Sequence, residues 1–319
     1  DRAEGEMPAT VLMAQPQSGS GFRISAELLS VGHVVEAGTW FPLTPSSVST
    51  ILDLLREGDV DGVGVVSSFR GLLALKKAAA NGEPVTDLTS SDRQSATRLF
   101  RSSDEAPAGV DAKLYTYQID GLRWLSFILR EAVGAVLADE MGLGKALQVI
   151  SALRDPGTGS KVSRSLIVAP GSLLENWKRE IDKFCPDLSV LKHQGSMRTG
   201  RPKDLERYDV VVTSYDTVVR DLSLLKMIDW SVVALDEAQN IKNPKAKRTL
   251  SVKQLPRSAS LAITGTPIEN RLTDLWSIMD FALPGYLGSL KEFSETYDND
   301  VDAAASIEPL ISPLMLRRR

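Results

Sequence analysis

Gly142, Gly144 and Lys145 stand together in the stretch Leu137-Ala-Asp-Glu-Met-Gly-Leu-Gly-Lys-Ala-Leu, directly after the apolar run Val133 to Leu137. Residues of these types at this spacing can grip a polyphosphate. Glycines let backbone N–H groups approach phosphate oxygens, the following helix offers its positive end, and a lysine reaches the β and γ oxygens. The generic loop reads G-x-x-x-x-G-K-[ST]. This chain departs from it twice, with Asp139 at the first glycine and Ala146 where a hydroxyl would ligate Mg²⁺. Taken alone, the loop is as well explained by a glycine-rich strand-to-helix turn.

Three further blocks give it company. Trp230-Ser-Val-Val-Ala-Leu-Asp236-Glu237-Ala-Gln239 is an apolar strand that ends in two carboxylates. An aspartate at such an end can hold Mg²⁺, and the adjacent glutamate can orient or deprotonate a water. Leu261-Ala-Ile-Thr264-Gly265-Thr266-Pro267-Ile-Glu-Asn270 is another strand and turn, and Tyr117-Gln118-Ile-Asp-Gly121-Leu-Arg-Trp124 lies upstream. Surface acids, a turn and an aromatic face explain each block singly. Four in this order and spacing are hard to obtain by chance.

In that order the blocks resemble the first ATPase lobe of the SWI/SNF-type family, helicase-like double-stranded-DNA translocases of helicase superfamily two. Ile167-Val-Ala-Pro170-Gly-Ser-Leu-Leu-Glu-Asn176-Trp177, Thr213-Ser214-Tyr215-Asp216, Ile241-Lys242-Asn243 and Leu275-Trp276 agree, so the similarity runs from about Leu114 to the end. Asp139 is usual for that family, whereas Ala146 is a departure from its threonine or serine. Gln239, in place of histidine, resembles a variant of bacterial members.

The resemblance implies ATP and Mg²⁺ as ligands and duplex DNA as partner. ATP would be held by Gln118, Asp139, Gly142, Leu143, Gly144, Lys145 and Ala146, with Gln118 reading the adenine edge beside Tyr115 or Tyr117. Lys145, Asp236 and Glu237 would be catalytic, with Asp236 on the metal. Pro170, Gly171, Ser172, Thr213, Ser214 and Tyr215 would contact DNA, although helix caps and turns explain these loops nearly as well. Thr264, Gly265 and Thr266 would couple the two sites.

Pro313-Leu-Met-Leu316-Arg317-Arg318 resembles the close of that first lobe, so a second lobe is expected to follow as a partner. The arginines of the second lobe would complete the ATP site, and such an arginine is worth about 10³–10⁵ in rate. These 319 residues are therefore expected to be a fragment that hydrolyses ATP hardly at all. The three terminal arginines are expected to fray.

The elements that must position these groups follow from pattern. Strands and helices alternate from residue 115 onward, which predicts a RecA-like α/β lobe with a parallel sheet covered on both faces. Strands are predicted at 133–138, 165–169, 189–193, 209–213, 231–236 and 260–264. Residues 1–20 read as flexible, 21–100 as an α+β accessory domain, 101–112 as a polar linker and 113–319 as the lobe. In the accessory domain a strand from Phe22 is expected to pair with His33–Phe41. Helices are expected at Ser46–Arg56 and Arg70–Ala80, with a strand at Val60–Val66 between them. That module shows no chemistry; a protein partner through residues 21–100 is the favoured reading over DNA.

Composition sets outer limits. A net charge of −4 gives no overall basic signature, so DNA contact needs a local patch. Cys185 is the sole cysteine, which excludes an intrachain disulfide and a cysteine metal cluster and fits a cytoplasmic, bacterial setting. His33 and His193 read as ordinary surface or turn residues, and no apolar run reaches membrane-spanning length. Two other readings stay open: a crippled ATPase kept as a DNA- or protein-binding scaffold, favoured by Ala146, and an unrelated phosphate-loop enzyme, disfavoured by the Trp177, Ser214-Tyr215 and Trp276 blocks.

Overall fold

The computed structural model describes residues 13–14, 22–23, 33–36, 39–42, 45–57, 60, 66, 68–81, 108–155, 162, 164–196, 198–266, 271–297 and 301–318. The chain divides into two units, Asp1–Leu99 and Phe100–Arg319.

In the first unit β1 (Met13–Ala14) pairs antiparallel with β2 (Phe22–Arg23), and β3 (His33–Glu36) pairs with β4 (Thr39–Pro42). The expected pairing is thereby corrected. Glu36 lies opposite Thr39 and His33 opposite Pro42, so β3 takes β4, and not the strand from Phe22, as its partner. The partner of Phe22 comes from Met13–Ala14, inside the stretch read as flexible; the rest of residues 1–20 lies outside the described residues. Helix α1 (Pro45–Glu57) and helix α2 (Phe69–Ala80) match their expectations closely. Ser68 caps α2 by accepting from the Gly71 N–H at 3.1 Å. Of the strand expected over Val60–Val66 only the two ends lie among the described residues; they form an antiparallel bridge, and both valines join Leu54, Leu75 and Ala78 in a small core.

The second unit is a seven-stranded sheet in the order β11-β5-β10-β9-β6-β8-β7. Its strands are β5 (Gly134–Leu137), β6 (Ser165–Ala169), β7 (Val190–His193), β8 (Val210–Ser214), β9 (Trp230–Asp236), β10 (Arg257–Ile263) and β11 (Met315–Leu316). Every pairing is parallel. Every residue of β5, β6 and β8 is buried, so both faces are covered, as continuous apolar runs such as Val210-Val-Val require. The cover comes from α3 (Thr116–Arg130), α4 (Lys145–Arg154), α5 (Leu174–Phe184), α6 (Pro202–Leu205), α7 (Tyr215–Arg220), α8 (Leu222–Leu225), α9 (Lys247–Lys253), α10 (Leu272–Ala282), α11 (Leu290–Thr296) and α12 (Val301–Ile311). This is the RecA-like architecture expected. A parallel sheet puts all strand C-termini on one rim, so the loops after β5, β9 and β10 are neighbours, and so are those after β6, β8 and β7.

Candidate nucleotide site and the cleft beside it

The loop after β5 is built by backbone geometry. Gly142 and Gly144 have φ of 91° and 71°, a left-handed region that L side chains rarely adopt. A Cβ at Gly142 would meet nothing within 4 Å, whereas one at Gly144 would lie 2.3 Å from Gln118 Nε2. The Leu143 carbonyl accepts from Gln118 Nε2 at 3.3 Å and from Gln148 Nε2 at 3.3 Å. Lys145 folds back on its own loop, donating to the carbonyls of Asp139 at 2.7 Å and Glu140 at 3.0 Å. An incoming polyphosphate would exchange these carbonyls for stronger, charged acceptors. Ala146 sits half-buried in the first turn of α4 and offers a methyl group only.

Gln118 is less free than an adenine reader would be. Its Oε1 accepts from the Tyr115 N–H at 3.0 Å and its Nε2 serves Leu143, so the side chain fastens α3 to the loop. Tyr115 and Tyr117 stack with centroids 5.7 Å apart and rings 7° from parallel, and Tyr115 is 68% exposed. That pair offers a flat aromatic surface beside the loop.

Asp236 ends β9 with both carboxylate oxygens occupied. Trp177 Nε1 donates to Oδ2 at 2.8 Å, and the Glu237 N–H donates to Oδ1 at 3.0 Å. Burial pushes this carboxyl above the usual carboxylate range; the Trp177 bond opposes the push and the Glu237 charge adds to it. Glu237 has φ 51°, a strained left-handed backbone for a residue with a side chain. Gln239 Nε2 donates to Glu237 Oε2 at 2.6 Å, and Gln239 Oε1 accepts from Thr264 Oγ1 at 2.8 Å. The Thr266 N–H closes on Thr264 Oγ1 at 3.1 Å. Polar groups thus run unbroken from Glu237 to the turn after β10. Residues 267–270 of that block lie outside the described residues.

These donors suit a hard cation bound with a nucleotide. Among the described residues no group of three or more His, Cys, Asp or Glu side chains could hold a metal by itself. Asp236 could share such a cation with phosphate oxygens.

On the other half of the rim a cleft of about 490 Å³ is lined by Gly171, Gln194, Gly195, Ser196, Arg198, Ser214, Asp216, Thr217 and Arg220. Gly171 and Ser172 are exposed and Pro170 is half-buried; Ser214 faces the cleft while its Oγ caps α7. The side chains of Thr213 and Tyr215 turn inward. Thr213 is fully buried, its hydroxyl donating to the His193 carbonyl at 2.8 Å. Tyr215 is 3% exposed, and its hydroxyl donates at 2.8 Å to the Asp236 carbonyl across the sheet. Neither side chain is presented to a ligand in the cleft.

His193 is corrected as well: it is buried, with Nε2 2.9 Å from Asp221 Oδ2. Arg198 grips the same carboxylate at 2.5 and 2.9 Å, so the loop after β7 is tied down at that point. That hydrogen bond from Arg198 holds the Asp221 carboxyl below its usual range against the opposing pull of burial. Sequence reasoning missed Gln194, Ser196, Arg198 and Arg220. The first three belong to the stretch Gln194-Gly-Ser-Met-Arg198 after β7, and Arg220 ends α7; neither place carries a motif.

Of the three terminal arginines expected to fray, Arg318 is held, Arg317 is exposed and Arg319 lies outside the described residues. The Arg318 guanidinium bonds the Asp139 carboxylate, its backbone pairs along the same loop, and its side chain is largely enclosed, 20% exposed. Leu316 had already joined the sheet through β11, so the next residues are delivered to the loop.

A RecA-like nucleotide-binding lobe is the class that this sheet, loop and carboxylate pair define. Comparison with known proteins places it more closely: the SNF2-related domain model matches residues 117–319. The chain belongs to that family. It is 34% identical over 309 residues to YwqA of Bacillus subtilis (strain 168), covering 88% of this chain and 33% of YwqA. It is 35% identical over 227 residues to the chromatin-remodeling complex ATPase ISW1 of Saccharomyces cerevisiae, covering 67% of this chain and 20% of ISW1. The solved Sulfolobus solfataricus SWI2/SNF2 ATPase core in complex with dsDNA matches with TM-score 0.61 and 40% identity, over 66% of this chain and 46% of that one. The chain thus spans a third or less of these two curated relatives.

Proposed function

We propose that this chain is the ATP-binding first lobe of a DNA-stimulated ATPase that moves along double-stranded DNA. The observation that carries the reading is the division of one rim. The phosphate loop, Asp236, Glu237 and Thr264 occupy the ends of β5, β9 and β10, while an arginine-bearing cleft opens at β6, β8 and β7. The dsDNA held by the Sulfolobus core supports duplex DNA as the occupant of the cleft, and the ATPase names of the relatives support ATP as the nucleotide.

In this reading Lys145 turns from the carbonyls of Asp139 and Glu140 to the β and γ oxygens, with the loop amides around it. Glu237, held by Gln239, orients the attacking water and takes its proton. Asp236 holds Mg²⁺, which when bound offsets charge on the transferred phosphoryl. Gln118 would give up one of its two bonds to read adenine. Gly171, Ser172, Ser214 and Arg220 contact DNA backbone, and Thr264, Gly265 and Thr266 report between the two halves. Hydrolysis is weakened by Ala146, and a lobe by itself supplies half of the ATP site and turns over slowly. Residues 21–100 serve as an accessory domain for a protein partner. No helix among the described residues is long and apolar enough to cross a membrane. The cytosol of a bacterium is the proposed location.

The test is steady-state ATP turnover by a chain that also carries a second lobe, with Ala146→Thr, with and without linear duplex DNA at low salt. Stimulation of tenfold or more is expected. Equal rates, under conditions where phosphate contacts are strongest, refute the translocase reading. Ala146 favours the scaffold alternative. DNA binding without any nucleotide turnover in the Ala146→Thr chain would establish it.

A further inference from the structure

Three residues far from Arg318 in sequence, Tyr117, Asp139 and Gln148, converge on its guanidinium. Arg318 Nε donates to both oxygens of Asp139, at 2.9 and 3.1 Å, and Nη2 bonds Asp139 and, at 2.6 Å, Gln148 Oε1. Nη1 donates to the Tyr117 carbonyl, and the guanidinium carbon lies 5.5 Å from the Tyr117 ring centroid. The backbone joins in: the Arg318 N–H donates to Asp139 Oδ1 at 3.0 Å, and the Arg318 carbonyl accepts from the Glu140 N–H at 3.0 Å. Asp139 and Gln148 are both fully buried.

This node explains Gly121. Its backbone is helical and needs no glycine, yet a Cβ there would stand 1.9 Å from Gln148 Oε1 and 2.6 Å from Arg318 Nη2. The glycine makes room for the arginine. The same carboxylate that Arg318 holds belongs to the residue whose carbonyl anchors Lys145, at 2.7 Å. A buried carboxylate left unpaired at the head of the phosphate loop would repel an anionic ligand and pull in water.

We propose that Arg318 is a positioning residue for the nucleotide loop: by neutralising and clamping Asp139 it ties the shape of the loop to the pairing of residues 315–318 along β5. The loop keeps its ligand-ready form while that segment is docked. Reciprocally, a bound nucleotide strengthens the docking, because coupling between two sites acts equally in both directions. The proposal rests on the reading of the loop as a nucleotide site, but half of its test does not.

Two measurements on the 319-residue chain test it. In the first, hydrogen exchange is followed without nucleotide. Arg318→Ala should speed exchange of amides 138–146 by about tenfold or more, with β6 amides unchanged. Unchanged loop amides in a folded variant overturn the proposal whatever the ligand proves to be. In the second, binding of a fluorescent ADP analogue with Mg²⁺ is titrated. Arg318→Ala should weaken it at least about tenfold. Arg318→Lys should recover part, since an ammonium cannot bridge Asp139, Gln148 and the Tyr117 carbonyl together. A folded Arg318→Ala chain that binds like the parent overturns the proposal. Absence of binding by the parent chain counts against the proposed function, and the exchange result then decides this proposal alone.

Discussion

The indole of Trp177, in helix α5, donates its N–H to Oδ2 of Asp236 at 2.8 Å, joining residues 59 apart in sequence. With the Glu237 N–H on Oδ1, the carboxylate is held in one orientation before any cation arrives. Trp177 is buried, so the bond is sheltered from competing water.

Trp177→Phe keeps the ring and removes the donor. The expected result is a rise of about three- to tenfold in the Mg²⁺ concentration for half-maximal nucleotide binding. Loss of a buried partner should also cost about 1–3 kcal/mol of stability. Nucleotide binding in the absence of Mg²⁺ should not move. A lowered melting temperature with an unchanged Mg²⁺ midpoint would reduce Trp177 to a packing residue.

Ala146→Thr restores a hydroxyl at the start of α4, where Mg²⁺ would gain a direct ligand in place of a loosely held water. In a chain that also carries a second lobe, turnover should rise at least about tenfold, equivalent to roughly 1.4 kcal/mol of barrier. Affinity without Mg²⁺ should barely change, because Lys145 and the loop amides are untouched. Turnover within about twofold of the parent would show that Asp236 and water already complete the metal shell.

Cys185 provides a pH-dependent probe of the lobe. Burial, assisted by the nearby Asp187 charge and opposed by Arg154, pushes its thiol to about 11. An unfolded thiol ionises near 8.5, so the folded chain holds a proton that the unfolded chain releases between those values. Stability from this group is complete below about pH 8.5 and is lost as pH rises toward 11. At pH 8 a thiol reagent should label Cys185 only after denaturant opens the lobe; fast labelling of the native chain at that pH would refute the burial argument.

Much of the lobe was legible because its strands are short apolar runs ended by chemistry-bearing turns. Ser165–Ala169 was placed to the residue, and Asp236 at a strand end follows from the Val232–Leu235 run before it. Side-chain destinations were not legible. Nothing in Thr213-Ser214-Tyr215 says that the first and third turn inward while the second lines a cleft; that depends on α7 starting at Tyr215. A terminal run of arginines reads as a frayed tail unless one knows that Asp139, buried elsewhere, lacks a counter-charge. In the first unit a two-residue strand such as β1 carries too little pattern to set its partner, so the pairing was misassigned.

Glu237 carries a consequence for how such a chain ages. Its φ of 51° costs about 1–2 kcal/mol that a glycine at the same place would not incur. A lineage that had stopped using the carboxylate would gain stability by losing it, and drift would favour that change. Position 146 is different, because alanine is among the best helix residues and settles there without strain. The two positions therefore differ in what they cost the fold: Ala146 sits in its helix without strain, whereas Glu237 keeps its carboxylate on a backbone that a glycine would hold more cheaply.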